Sequence, residues 1–292
     1  MFHGSIPALV TPFKNGAVDK DAFAALVERQ IAAGSSALVP VGTTGETSTL
    51  STEEHKGVVT LCVDVAAGRV PVIAGAGANA TDEAIELVRH AKAVGADAAL
   101  VVCPYYNRPD QAGLYAHFAA INDAVSLPVF LYNVPTRTSC DLEPETAGRL
   151  AALPNVIGIK DASKDVSRVA AHERLAGGAQ FIQLSGEDGT ALAHRAAGGA
   201  GCISVTANVA PELCAAMHAA IDAGQWNEAR AIDSKLAPLH DAMFCSPSPG
   251  PAKYALSKLG LCGQDVRLPI LPPSAPAQSI IDAAMANAGA TA

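Results

Sequence analysis

Lys160 closes the apolar run Val156-Ile157-Gly158-Ile159-Lys160, a pattern that otherwise reads as a buried strand. Burial strips an ammonium of its hydration and favours the neutral form. A neutral amine at a strand end is a nucleophile for a carbonyl carbon, the first requirement of imine chemistry. The segment is equally satisfied by a lysine whose stem is buried while its head reaches solvent or a carboxylate such as Asp161. The neighbours must decide between the two.

Hydroxyls, phenols and a second cation recur where other apolar runs end. The segments are Thr43-Thr44-Gly45-Glu46, Pro104-Tyr105-Tyr106-Asn107-Arg108-Pro109, Tyr132-Asn133-Val134-Pro135-Thr136-Arg137-Thr138, Ser185-Gly186-Glu187 and Ser204-Val205-Thr206. The set fits carbonyl chemistry on a 2-oxo acid: an amine attacks, and a phenol or hydroxyl relay moves protons on and off the adduct. Backbone amides and a threonine can hold the acid's carboxylate, and Arg137 can grip a second carboxylate in a fork that lysine cannot copy. Singly, each piece has an ordinary explanation, as a helix-capping turn, an amphipathic lid, a solvated loop cation or a core tyrosine. Jointly they point to one site. No Ser-His-Asp arrangement and no metal-ligand cluster is present in the sequence pattern, so no metal and no cofactor is expected.

These residues need a frame that brings strand ends together. Short apolar runs at 5–10, 37–41, 70–75, 98–103, 129–132, 156–160, 181–184 and 202–205 alternate with helical patterns at 20–33, 52–67, 80–94, 111–124, 143–152, 166–175, 189–197 and 211–223. Thr52 ahead of Glu53-Glu54, Thr81 ahead of Asp82-Glu83 and Glu143 ahead of Pro144 mark helix starts. Gly34, Gly68, Gly95 and Gly224 sit where helices should end. Eight strand–helix units in succession predict an α/β fold of the (β/α)8 TIM-barrel type, with an open eight-stranded sheet as the competing arrangement. In such a barrel, chemistry gathers at the C-terminal ends of the strands. Beyond Gly224 the pattern becomes three helices without strands, near 225–244, 251–261 and 276–288. The expected division is a catalytic barrel over 1–224 and a C-terminal helical domain over 225–292, with the tail 289–292 frayed.

Half of the 292 residues are hydrophobic while aromatics are only 4%, so the core must rest on Ala, Val, Leu and Ile. The net charge of −8 is dispersed, which argues against nucleic acid or an anionic membrane as partner. The seven cysteines at 62, 103, 140, 202, 214, 245 and 262 show no CxxC pair and no zinc spacing, and read as reduced thiols. No leader pattern is evident, and no apolar stretch approaches the ~20 residues a membrane span requires. A cytoplasmic protein is expected.

The motifs Val41-Gly42-Thr43-Thr44-Gly45-Glu46, Pro104-Tyr105-Tyr106-Asn107-Arg108-Pro109, Leu131 to Thr138 and Gly158-Ile159-Lys160-Asp161-Ala162-Ser163 closely resemble those of the dihydrodipicolinate synthase family. The resemblance runs from Gly4 to about Leu271. It implies condensation of pyruvate with L-aspartate 4-semialdehyde, on the diaminopimelate route to lysine. By position, Lys160 matches the Schiff-base lysine and Tyr132 the proton-shuttling tyrosine. Thr43 matches the hydroxyl joining Tyr132 to a second tyrosine, here Tyr106, which in the family reaches in from a neighbouring subunit. Thr44 and Ile203 match pyruvate-holding positions, Gly186 joins the substrate-binding set, and Arg137 matches the clamp for the aldehyde's carboxylate. The family's usual assembly is a homotetramer, a dimer of dimers.

Sister enzymes resemble the chain too, namely N-acetylneuraminate lyase and the 2-keto-3-deoxy sugar-acid aldolases. They share the lysine and tyrosine; the Thr43-Thr44 pair and Thr136-Arg137-Thr138 favour the synthase. A non-catalytic barrel is the reading from a different class, and the intact lysine, tyrosines and arginine speak against it. In members of the family that lysine inhibits, the inhibitor binds near the first tyrosine of the Tyr-Tyr pair. His55, Asn79, Glu83 and Tyr105 match that pocket and Thr47 and Ser48 are small polar or near-equivalent there, whereas Thr52 stands where some inhibited enzymes carry a histidine. Ser248-Pro249-Gly250-Pro251-Ala252-Lys253 departs from the family's usual Asn-Pro-Ile-Pro-Val-Lys, which predicts altered docking of the C-terminal helices.

Overall fold

The computed structural model describes residues 2–178 and 180–291. Met1 and Ala292, the outer limits of the two expected domains, lie outside those residues, as does Ala179. In chain order the elements begin with β1 (Gly4–Pro7), a hairpin of β2 (Phe13–Lys14) and β3 (Ala17–Val18), α1 (Lys20–Ala32), α2 (Thr52–Ala66), β4 (Ile73–Gly75), α3 (Thr81–Ala93), β5 (Ala98–Val102) and α4 (Gln111–Ala124). There follow β6 (Val129–Asn133), α5 (Pro135–Thr138), α6 (Pro144–Leu150), β7 (Val156–Asp161), α7 (Arg168–Leu175), β8 (Ile182–Ser185), α8 (Ala191–Ala196), β9 (Gly201–Ser204) and α9 (Pro211–Asp222). The chain ends with α10 (Trp226–Ala242), α11 (Gly250–Lys258) and α12 (Ala275–Ala288).

Seven strands form one parallel sheet in the order β1-β9-β8-β7-β6-β5-β4. The expected strand at 37–41 closes it in a thinner form. Ala8 bridges Val39 on one side and Leu38 bridges Val72 on the other, both parallel. Backbone bonds follow the strand pattern, with Val39 N to Pro7 O at 3.0 Å, Leu9 N to Val39 O at 2.9 Å and Ile73 N to Leu38 O at 2.8 Å. Pro7, Pro40 and Pro71 lack donors, and Val41 turns into left-handed backbone at φ 48°, so no longer ladder forms there. The result is a TIM barrel with C-terminal helices.

Helix starts shift by a residue from expectation. Ser51, not Thr52, caps α2 in a reciprocal box: its hydroxyl accepts from Glu54 N at 3.2 Å and Glu54 accepts from Ser51 N at 2.9 Å. Thr81 is the first residue of α3 rather than its cap, and Glu143 is the capping residue of α6. Of the tail expected to fray, Gly289 caps α12 at φ 72° and Ala290 N donates to Met285 O at 2.9 Å, while Ala292 lies outside the described residues. The turn α5 and the hairpin β2–β3 were not foreseen, being too short to impose a period on the sequence.

Small side chains line the strand–helix contacts, as the aromatic-poor composition requires. Ala84, Leu87, Val88 and Ala91 of α3 enter one core with Ala99 and Val101 of β5. A second core joins Val10, Leu26 and Val205 of the barrel to Leu236, Leu239, Leu256 and Ile281 of the three last helices. Those helices are therefore seated on the barrel through shared apolar burial.

A buried ion pair fastens the same junction. Lys253 Nζ of α11 lies 2.5 Å from Glu46 Oε1, with the two side chains 0% and 3% exposed. Glu46 Oε2 accepts from Arg267 N at 2.9 Å, while Lys253 donates to Asp265 O at 2.8 Å and sits 3.9 Å above the Phe13 ring. Gly250 meets the following chain closely: a Cβ there would stand 3.2 Å from Leu271 O. The small residue at this departure from the family pattern lets residues 271–273 pack against the start of α11.

Candidate active site

A cavity of 620 Å³ opens at the C-terminal ends of the strands, with Lys160, Tyr132, Thr43, Thr44, Arg137 and Gly186 among its walls. β7 presents Lys160 inward and Asp161 outward, as strand alternation dictates. Asp161 consequently does not serve Lys160; its Oδ1 accepts from Ser163 N at 2.7 Å. Lys160 is 6% exposed, and its Nζ lies 4.2 Å from the centroid of the Tyr132 ring on the adjacent β6, its register partner. Among the described residues no carboxylate forms an ion pair with Lys160. The snorkelling alternative is thus removed in favour of an interior amine beside a phenol.

Gly186 clears the space above that amine. A Cβ at this position would fall 3.1 Å from Lys160 Cε and 2.7 Å from Ala162 Cβ. The Thr43-Thr44 turn enters from the far side and is held by its neighbours: Thr11 Oγ1 donates to Gly45 O at 2.7 Å, and Glu46 is locked by Lys253. Thr44 is buried and Thr43 half-buried, both facing the cavity.

Arg137 sits on α5, exposed at the rim. Among the described residues its guanidinium pairs with no carboxylate, so it is free to meet one from solution. The loop beneath it is rigidly built. Asn133 Nδ2 donates to Asp141 Oδ1 at 2.7 Å and its Oδ1 accepts from Leu142 N at 3.0 Å. Arg168 then closes a fork on Asp141, at 2.9 and 2.5 Å.

Two expected members lie elsewhere in the single chain. Ile203 is 1% exposed and belongs to the barrel's interior packing with Tyr132, Ala162 and Leu184 rather than to the cavity wall. Tyr106 is 89% exposed and outside the cavity, on backbone at φ 71°.

The cavity also has walls that the sequence did not reveal. Glu187 faces it half-buried, with Lys164 Nζ 3.5 Å from its Oε2. Burial pushes the Glu187 carboxyl above the usual range, a shift that Lys164 opposes. α10 adds His240 and Asp241, and Phe244 follows just beyond it. His240 is anchored by Nδ1 at 2.8 Å from Thr206 Oγ1. Thr206 N in turn donates to the buried Asp188, which also accepts from Val205 N at 2.8 Å and from the Ser204 hydroxyl. Glu187 stood in a strand-end motif and was open to discovery; the facing side of α10 was not, because docking alone decides which helix stripe meets the mouth.

A smaller pocket of 60 Å³ lies on the outer side of the Thr47–Ser48 turn, lined by Ser48, Thr52, His55, Glu83 and Tyr105. Burial holds the His55 imidazole down at about 4, so it is neutral at physiological pH. Asn79, expected in this pocket, is not among its lining residues; its carbonyl accepts from Asn107 Nδ2 at 2.8 Å. No helix among the described residues is long and apolar enough to cross a membrane, and no cluster of three or more His, Cys, Asp or Glu among them could hold a metal.

A TIM barrel with a buried lysine at a strand end, a strand-end tyrosine beside it and helices folded over the mouth is the architecture of a Schiff-base lyase. Within that class the chain belongs to the Dihydrodipicolinate synthetase family, whose sequence profile matches residues 1–288. It is 74% identical over 290 residues to the 4-hydroxy-tetrahydrodipicolinate synthase of Hyphomonas neptunium, covering 99% of each chain. The pyruvate complex of the chloride-inhibited dihydrodipicolinate synthase from Acinetobacter baumannii superposes with a TM-score of 0.96 at 47% identity, over 99% of this chain and 100% of that one. The DHDPS of Cyanidioschyzon merolae with lysine bound gives 0.95 at 38% identity, over 99% and 98%.

Proposed function

We propose that this chain is a 4-hydroxy-tetrahydrodipicolinate synthase, condensing pyruvate with L-aspartate 4-semialdehyde through an imine on Lys160. The observation that carries this reading is the Lys160 amine held 4.2 Å from the Tyr132 ring inside a cavity rimmed by Arg137. Lys160 attacks the ketone carbon of pyruvate, and loss of water leaves the imine. Tyr132 and Thr43 move the protons, and Thr44 with neighbouring amides holds the carboxylate. Loss of a methyl proton gives the enamine, whose carbon attacks the aldehyde while Arg137 grips that substrate's carboxylate. The amine of the second substrate then adds to the imine carbon and displaces Lys160, closing the ring. Gly186 serves by leaving room for the adduct, and Ile203 by packing beneath it.

Tyr106 enters the relay of a neighbouring subunit in this reading. A phenol 89% exposed and outside its own cavity supports that role. The active unit is then a dimer at least, and a homotetramer is the assembly we propose, in the cytoplasm. The pocket of Ser48, His55, Glu83 and Tyr105 is proposed to take lysine as a feedback inhibitor, with Glu83 receiving an ammonium.

Borohydride reduction in the presence of pyruvate, followed by peptide mass mapping, tests the central claim. A pyruvyl adduct on Lys160 is expected. An adduct on another residue, or none, overturns the mechanism. Unchanged activity at saturating lysine would dispose of the inhibitory pocket.

A further inference from the structure

Seven thiols are present, and two of them stand on neighbouring loops that follow β5 and α5. Cys103 directly follows β5 and precedes Pro104-Tyr105-Tyr106; Cys140 follows α5 and Ser139. The two thiols lie near enough for each to bear on the other's protonation. Cys140 Sγ also lies 3.1 Å from the carbonyl oxygen of Pro104, the residue next to Cys103. Arg108 Nε donates to Ser139 O at 3.1 Å, so the two loops are joined by a second contact beside the thiols. One loop carries Tyr106 and the other carries Arg137.

We propose that Cys103 and Cys140 form a reversible disulfide on exposure to hydroperoxides, and that this bond ties the Tyr106 loop to the Arg137 turn. Cys140 is the attacking sulfur because it is half-exposed, whereas Cys103 is fully buried. The contact from the Cys103 thiol, aided by Thr138 and Arg108, holds the Cys140 thiol down at about 6. The other sulfurs lack this setting: burial pushes Cys62, Cys202, Cys214 and Cys245 up, and Cys262 to about 11.

The chemistry balances with hydrogen peroxide as oxidant. The Cys140 thiolate attacks one peroxide oxygen; the S–O bond forms, the O–O bond breaks, and hydroxide leaves to take up a proton as water. The Cys103 sulfur then attacks the Cys140 sulfenic acid. The S–S bond forms, the S–O bond breaks, and the departing hydroxide carries off the Cys103 proton as a second water. Two thiols lose two electrons and one peroxide gains them.

The test oxidises the fully reduced protein with hydrogen peroxide at neutral pH, alkylates it under denaturing conditions and digests it without reductant. The expected product is one linked peptide pair containing Cys103 and Cys140, lost again on treatment with dithiothreitol. In Cys103→Ser, which keeps a hydrogen-bond donor beside Cys140 and lies outside the proposed relay and clamp, a dimedone-reactive sulfenic acid is expected to accumulate on Cys140. A different linked pair, no reaction at Cys140, or equal dimedone labelling of Cys140 in the parent and the variant overturns the proposal. The mass readout is independent of the proposed function. The linked enzyme should show a KM for the aldehyde raised roughly 10-fold, the scale of a weakened charge-assisted hydrogen bond, while borohydride trapping of pyruvate persists. An unchanged aldehyde KM in the linked enzyme would refute the coupling to Arg137.

Discussion

Replacing Glu46 with glutamine removes the charge that answers Lys253 while leaving the shape of the side chain nearly intact. Both partners are buried, 2.5 Å apart, so the variant strands an ammonium where water cannot reach it. Breaking such a pair by deleting one partner costs about 3–5 kcal/mol. A chain of 292 residues has an unfolding entropy of about 0.6 kcal/mol/K, so the melting temperature should fall by about 5–8 °C. Burial already pulls the Lys253 pKa down, with Glu46 resisting that pull. Without Glu46 the folded-state value drops further below the unfolded one. The unfolded chain then binds the extra proton, and stability of the variant should rise as pH is raised from neutral toward the ordinary lysine range.

The same substitution reaches the active site, because Glu46 lies two residues from Thr44 in one tight turn. A raised KM for pyruvate is expected alongside the lost stability. Thermal unfolding by circular dichroism at fixed protein concentration, with steady-state kinetics on the same samples, measures both. The double variant Glu46→Gln, Lys253→Met removes the stranded charge and should regain most of the lost stability. A single variant that melts within a degree or so of the parent would refute the reasoning. So would a double variant as unstable as the sum of both singles.

Arg137→Lys keeps the charge and loses the fork; the KM for L-aspartate 4-semialdehyde should rise roughly 10- to 100-fold with pyruvate trapping unaffected, and an unchanged KM would remove Arg137 from the clamp. Gly186→Ala drives a Cβ to 3.1 Å from Lys160 Cε, which should slow imine formation in single-turnover trapping and cost about 1–3 kcal/mol of stability; parent-like trapping would contradict the contact. Tyr106→Phe should lower kcat about 100-fold or more while trapping persists, and parent-like turnover would exclude it from the relay. Burial holds His55, His117, His194 and His218 at about 4 in the fold. Their folded values lie below the unfolded 6.5, so unfolding takes up protons between those limits and stability falls as pH drops through that window, by about 1.4 kcal/mol per pH unit for each histidine. A flat melting temperature between pH 6.5 and 4 would contradict their burial as neutral rings.

Strand ends were the legible part of this protein. The apolar run ending at Lys160 marks a strand by itself, but the direction of its lysine follows only once Tyr132 and the other strand ends are set beside it in the barrel order. What remained hidden depends on long-range docking. Pro7, Pro40 and Pro71 each read harmlessly alone, but together they thin the second strand to single bridges. Tyr106 and Tyr105 are adjacent in sequence, yet one stands exposed outside the active-site cavity while the other lines the pocket of His55 and Glu83. His240 and Phe244 are unremarkable members of a helical run until α10 is laid across the mouth.

That placement gives the C-terminal helices a share of the cavity wall as well as of the core. Two buried polar paths run from the mouth into them. One leaves the Thr43-Thr44 turn at Glu46 and ends on Lys253 of α11; the other leaves the ends of β8 and β9 at Asp188 and passes through Thr206 to His240 of α10. Each path starts beside residues of the cavity wall, Thr44 in the first case and Glu187 in the second. Apolar packing alone would seat the helices anywhere along a compatible stripe, since burial is not directional. Buried polar groups admit few arrangements in which every partner is met. The Glu46–Lys253 pair and the Asp188–Thr206–His240 chain therefore set where the helices rest, and with them the Thr43-Thr44 turn and the side of the cavity facing Arg137.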